Sequence, residues 1–298
     1  TPTVGMALAC VAMILFVKFF AGLALTGDAN SIGFGYLFRA VIVSQACVVV
    51  PPLLMAWFLT RNPQRTFLLS NWPRPSTLLA ALGLAFAYYP VGLQFAEWIH
   101  WLYPLDAEAF RHTSAFAKLL DSSGSFGLTL ILLAGLPAIC EELAFRGFVL
   151  SGLRHLGHQS WAIMLTAVFF GLAHTALLQQ SLAATITGVV IGYIAVQSGH
   201  LAPCMIFHFA YNGFSLALSH WGEFLEERVQ NSDWLGRLFQ PMPDQLQLFS
   251  PIVVMTGAMA TLVLLWWFHR LDSPMSAEES LTEARQQPVQ RPLAQELS

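Results

Sequence analysis

Long apolar runs separated by short polar connections dominate this chain. A helix that crosses a membrane needs about 20 mostly apolar residues. Eight runs approach that pattern, at residues 4–25, 37–59, 77–99, 126–153, 161–178, 182–197, 201–218 and 251–268. The pattern predicts an all-α polytopic membrane protein of about eight transmembrane helices around a central polar site. Its transmembrane domain spans residues 1–270, with the motif core at 126–219, and a polar tail of Gln, Pro, Glu and Ser follows over 271–298. Such a tail lacks the apolar content for a core and reads as disordered. The first run is followed by no small-residue cleavage pattern, so it reads as a span rather than a signal peptide. The chain opens on Thr1 rather than Met, which fits an excerpt of a longer protein.

Between the third and fourth runs, Phe110, Phe116, Leu119 and Leu120 recur at near-helical spacing, with Glu108, Arg111 and Lys118 between them. This predicts a short amphipathic helix over 106–121, either on the outer membrane interface or packed on the protein.

Composition agrees with the runs. Hydrophobic residues make up 56% and charged residues 10%, with mean hydropathy +0.59, where soluble domains carry about 25% charged residues. A formal net charge of −3 offers no electrostatic basis for binding nucleic acid. Cys10, Cys47, Cys140 and Cys204 show no C-x-x-C spacing, so neither a disulfide framework nor a zinc knuckle is expected. Basic residues in short loops mark the cytoplasmic side. The connection RNPQRTFLLSNWPRP carries Arg61, Arg65 and Arg74 and no acid. With eight spans, this puts both termini in the cytoplasm, as in a multi-pass protein of a bacterial-type inner membrane. Arg154 and Arg270 fall on the same side, and the acidic connection 221–249 falls outside.

Against this background the stretch CEELAFRG, residues 140–147, stands out. Each charge at the centre of a membrane helix costs about 2.5–3.5 kcal/mol on insertion scales. Glu142 and Arg146 stand at i and i+4, on one helical face, and can neutralise each other. Glu141 is turned about 100° away and meets Phe145 at i+4. One carboxylate therefore has no local partner. Two further spans carry polar residues at the same spacing: Phe170 with His174, and His208 with Asn212. At 1.5 Å per residue, Glu141, His174, His208 and Asn212 all fall about 11–20 Å from the assigned cytoplasmic ends. That is near the middle of a hydrocarbon layer about 30 Å thick. A single His or Asn in a span is commonly a packing group that bonds a neighbouring helix. Four polar groups on three spans at one depth point to one site. A buried glutamate beside a histidine can act as general base, and a histidine with an asparagine amide can donate to a developing oxyanion.

Taken together, Glu141-Glu142-x-x-x-Arg146, Phe170-x-x-x-His174 and His208-x-x-x-Asn212 resemble the three motifs of the CAAX protease and bacteriocin-processing family of intramembrane proteins, which includes the type II prenyl endopeptidases and bacterial abortive-infection proteins. The resemblance covers residues 126–219. It implies an all-helical, metal-independent, glutamate-dependent endopeptidase that needs no cofactor. In that reading Glu141 and His174 activate water, and His208 with Asn212 form the oxyanion hole. Glu142, Arg146 and Phe170 support the site. The implied partners are a membrane-associated protein or peptide substrate and the lipid bilayer, and some members are fused to transporter permeases. Three other readings stay open. One is a zinc protease, since two histidines and a glutamate suffice for catalytic zinc, although H-E-x-x-H is missing. Another is a proton-coupled transporter, since intramembrane Glu and His mark proton pathways. The last is a non-catalytic scaffold or immunity-type protein on the same fold.

Overall fold

The computed structural model describes residues 1–25, 34–70, 72–105, 125–174, 177–240 and 248–271. The expected amphipathic helix at 106–121 and the tail beyond Leu271 lie outside the described residues. Nine helices organise the rest: α1 Val4–Leu25, α2 Phe34–Leu59, α3 Pro75–Leu102, α4 Phe126–Leu156, α5 Gln159–Leu172, α6 Leu178–Ser198, α7 Leu201–His220, α8 Gly222–Gln230 and α9 Pro251–His269. Seven of them, α1 to α4, α6, α7 and α9, are long and apolar enough to cross a membrane. The chain is an all-α, multi-pass membrane protein. Its β structure, among the described residues, is one antiparallel pair, Phe239–Gln240 with Leu248–Phe249.

Only in its length does α5 depart from the expected spans. It has 14 residues and ends at Leu172, where the apolar run had extended to Leu178. Gly171 stands in its last turn, but no Gly or Pro follows over residues 173–178. Bonds from other helices secure it: Lys18 Nζ of α1 donates to Ala173 O at 2.7 Å, and Ser181 Oγ of α6 donates to His174 O at 2.8 Å.

The fourth span is not a uniform helix. Residues Ile131–Gly135 and Leu143–Val149 are π-helical, with α-helical Leu136–Glu142 between them. Leu136 N–H reaches back to Ile131 O and Leu150 N–H to Phe145 O, each five residues. The first wide turn comes just before Pro137, which lacks an N–H and crowds the preceding turn. π-turns of this kind relieve such a conflict and often accompany functional sites. Glu141 and Glu142 therefore sit on a short α-helical platform between two wide turns.

Helix α4 occupies the middle, against α1, α2, α5 and α7. Helices α5 and α6 approach closely through glycines. A Cβ on Gly188 would stand 3.2 Å from Ala167 Cα, and a Cβ on Gly171 would stand 2.6 Å from Ser181 O. Small residues at helix contacts allow this approach where lipid removes the hydrophobic drive for association. The outward faces are apolar: Phe16, Phe19 and Phe20 of α1 and Ile252, Met255, Met259 and Leu262 of α9 are exposed. In lipid that exposure carries no hydrophobic cost, because acyl chains are as apolar as these side chains.

Candidate active site

Three helices bring their motif residues to one place. Glu141, Glu142, Arg146 and His208 are all at most 5% exposed. Arg146 Nη1 donates to Glu142 Oε1 at 3.0 Å, the expected i, i+4 pair, and it survives the wide turn. Arg146 Nη2 donates to Gly188 O of α6 at 3.1 Å, and its guanidinium lies 4.3 Å from the centre of the Phe170 ring. Phe170 thus forms the apolar lid of the ion pair, with its ring edge also against His174 and His208. A buried charge needs both a counter-charge and filled hydrogen bonds, and Arg146 has a carboxylate, a carbonyl and an aromatic face.

Glu142 has a second partner. His208 Nδ1 lies 2.8 Å from Glu142 Oε1. Facing an ionised carboxylate, Nδ1 carries a proton and donates it. The other ring nitrogen, Nε2, is then turned toward Glu141, 3.9 Å from its Oε2. His174 is arranged in the same way. Its Nδ1 lies 2.8 Å from Phe170 O, and a carbonyl can only accept, so Nδ1 is the protonated nitrogen. Its Nε2 stands 3.7 Å from Glu141 Oε2. A bond at one ring nitrogen dictates the role of the other. Both histidines therefore point Nε2 at the same carboxylate oxygen.

Helical spacing had put Phe170 and His174 on one α5 face. His174 instead follows the end of the helix, and its Nδ1 bond to Phe170 O continues the i, i+4 relation beyond Leu172.

Glu141 itself has one partner that the motifs do not contain. Gln45 Nε2 of α2 donates to Glu141 Oε1 at 2.9 Å. Oε2 is buried without a hydrogen-bond partner. The three motifs do not reach Gln45, although a glutamine in an apolar run is itself a signal. Lys18, a charge within the first apolar run, is a second residue of the site outside the three motifs.

A cavity of about 450 Å³ lies against this carboxylate, lined by Lys18, Gln45, Glu141, His174, Gln180 and Asn212 among others. Asn212 is one helical turn past His208 on α7 and reaches the cavity wall. His208 lies behind it, next to Glu142. The four buried cysteines carry free thiols, and Cys140 takes no part in the cavity wall. Among the described residues, no three His, Cys, Asp or Glu side chains form a group that could hold a metal ion.

Comparison with curated proteins and with solved structures gives no match. A family model does match, over residues 123–214, the stretch that holds all three motifs. The described part of this stretch supplies Glu141, Glu142, Arg146, Phe170, His174, His208 and Asn212, while Gln45 and Lys18 lie before it. Over residues 123–214, about a third of its length, the chain is similar to the family described as type II CAAX prenyl endopeptidase Rce1-like.

Proposed function

We propose that the chain is an intramembrane endopeptidase that hydrolyses a peptide bond of a membrane-associated protein or peptide, with Glu141 as general base. The observation that carries this reading is the environment of Glu141 Oε2. It is buried, lacks a hydrogen-bond partner, and faces two Nε2 atoms at 3.7 and 3.9 Å beside a cavity. Those separations suit a water bridged between Oε2 and His174 Nε2, with Oε2 and Nε2 both accepting its protons.

In the proposed reaction the water oxygen attacks the substrate carbonyl carbon while Glu141 takes a proton. The carbonyl π-bond opens and its oxygen becomes the oxyanion. Asn212 Nδ2–H is a donor on the cavity wall. His208 donates from Nε2 as well when it is the imidazolium, for which the Glu142 carboxylate at Nδ1 is the counter-charge. Glu141 then returns the proton to the leaving nitrogen as the C–N bond breaks. Phe170 and the Glu142–Arg146 pair hold the histidines in place. The residues named supply base, orienting group and donors without calling on a metal ion or cofactor.

The test compares the membrane proteome of cells expressing the chain with that of cells expressing Glu141→Gln at equal level. The expected result is a polypeptide shortened only by the unsubstituted chain. Asn212→Ala should leave a rate reduced about 100- to 1,000-fold, the loss expected for one oxyanion donor. Identical proteomes would transfer support to the non-catalytic scaffold, with the charged groups as a structural network.

A further inference from the structure

The helices have two distinct ends, and contacts between elements define each. At one end Gly152 packs on Thr3 and Ala7, Ser151 Oγ donates to Thr66 O, Leu201 N–H donates to Leu68 O, and Trp72 meets His200. At the other end Tyr36 Oη donates to Leu25 O, Gln179 Nε2 donates to Tyr103 O, and Phe126 stacks on His220. Charge divides between the ends. The first holds Arg61, Arg65, Arg74, Arg154 and Arg270 on or beside the short connections, with no acid among residues 60–74, 154–158 and 199–200. The second holds Arg39 near the start of α2 and the described part of the 221–249 connection, where Glu223, Glu226, Glu227 and Asp233 stand against Arg228 and Arg237.

The cavity belongs to the second end. Its lining residues on α1 run from Lys18 to Leu25, the last third of that helix. On α2 they are Val43, Ser44 and Gln45, in its first half. On α4 they are Leu133 and Pro137, again in the first half, and Glu141 at the midpoint. Ala173 and His174 follow the end of α5, and Gln180 is the third residue of α6. Each of these helices contributes from the part nearest the acidic end, and Asn212 on α7 lies just past that helix's middle on the same side. Glu141 marks the deep end of the cavity.

Short loops rich in arginine stay in the cytoplasm, because translocating them is unfavourable. We infer that the cavity opens on the extracytoplasmic side, so that its substrate is a polypeptide segment presented at the outer face of the membrane. The naming of a substrate rests on the endopeptidase reading above, whereas the side of opening does not.

Thiol labelling tests the side of opening without requiring activity. Gly22→Cys and Gln180→Cys place a thiol at the cavity. Both positions are exposed, and a Cβ at Gly22 has open space. Arg74→Cys places one on the opposite end, where the side chain is exposed. The four native thiols are buried, so the unsubstituted chain is the background control. A membrane-impermeant maleimide is applied to spheroplasts and to inverted vesicles. The expected result is several-fold labelling of Gln180→Cys and Gly22→Cys in spheroplasts, with Arg74→Cys labelled only in inverted vesicles. The reverse pattern overturns the inference. So does a Gln180→Cys chain that reacts after denaturation but from neither face, since the cavity would then have no aqueous mouth. Repeating the labelling in Glu141→Gln separates the two readings. Unchanged labelling with no cleavage would leave the orientation standing and sink the protease.

Discussion

Gln45 Nε2 of α2 donates to Glu141 Oε1 of α4 across 2.9 Å, in a site shielded from solvent. This bond leaves Oε2 as the oxygen that faces both histidines. A hydrogen bond to a charged group contributes about 1.5–3 kcal/mol. If Glu141 is the base, that energy fixes which of its oxygens takes the proton.

Gln45→Ala should therefore lower the rate of substrate cleavage about ten- to a hundredfold while the protein still inserts. Gln45→Asn, one methylene shorter, should lie between. The check is cleavage of the substrate found by proteome comparison, normalised to expressed protein, with a pH profile for each variant. A purely structural role for Gln45 would lower yield and leave the pH profile of the remaining activity unmoved, and that outcome would remove Gln45 from the site.

Arg146 is wholly buried and neutralises Glu142. Its removal strands a carboxylate that then has only His208. Breaking a buried pair from one side typically costs about 3–5 kcal/mol. Arg146→Ala should thus show a large fall in thermal stability in detergent, read by size-exclusion chromatography after heating. Arg146→Ala with Glu142→Gln removes both charges and should recover much of the loss. A double variant as unstable as the single one would argue that packing against Phe170 and the Gly188 contact matters more than charge.

Some of this site is legible from the chain alone, and some is not. The Glu142–Arg146 pair is local, so four-residue spacing reveals it. The shared depth of Glu141, His174, His208 and Asn212 is also readable, because each count starts from a hydrophobic boundary. Gln45 is different: its contact with Glu141 joins residues 96 apart, and it has no spaced partner on its own helix. The end of α5 escapes a sequence reading for the same reason. Its stop is secured by Lys18 and Ser181, from other spans, and no Gly or Pro follows Leu172 to announce it. Pro137 signals a disturbed turn, but the five-residue register around it follows from packing.

The close approach of α5 and α6 yields a steric prediction. A Cβ at Gly171 would collide with Thr185 Oγ1 and come to 2.6 Å from Ser181 O. The hydroxyl can rotate, but the backbone carbonyl cannot move without shifting α6. Overpacking of this kind costs about 1–3 kcal/mol. The push also bears on Ser181, whose Oγ anchors His174 O. Gly171→Ala should lower thermal stability and cleavage together, and Gly171→Ala with Thr185→Ala should recover only part, since the carbonyl contact remains. Full recovery in the double variant would show that the hydroxyl alone sets the spacing.

His200 connects acidity to the helix that carries His208 and Asn212. It is the N-cap of α7, and its Nδ1 accepts the N–H of Ala202 at 2.9 Å. Accepting requires a lone pair, so the cap functions with the neutral ring. Burial also lowers the His200 pKa from its ordinary value, because the charged ring would lose its hydration. The unfolded chain therefore binds a proton at higher pH than the folded one. Stability from this residue is complete above the ordinary histidine range, about 6.5, and falls as pH drops through and below it. Thermal melts in detergent should show a loss between about pH 7.5 and about pH 5.5. His200→Asn keeps a side-chain acceptor at the cap but cannot take a proton, so its melting temperature should change less over the same interval. An equal loss in both chains would assign the acid sensitivity to other groups.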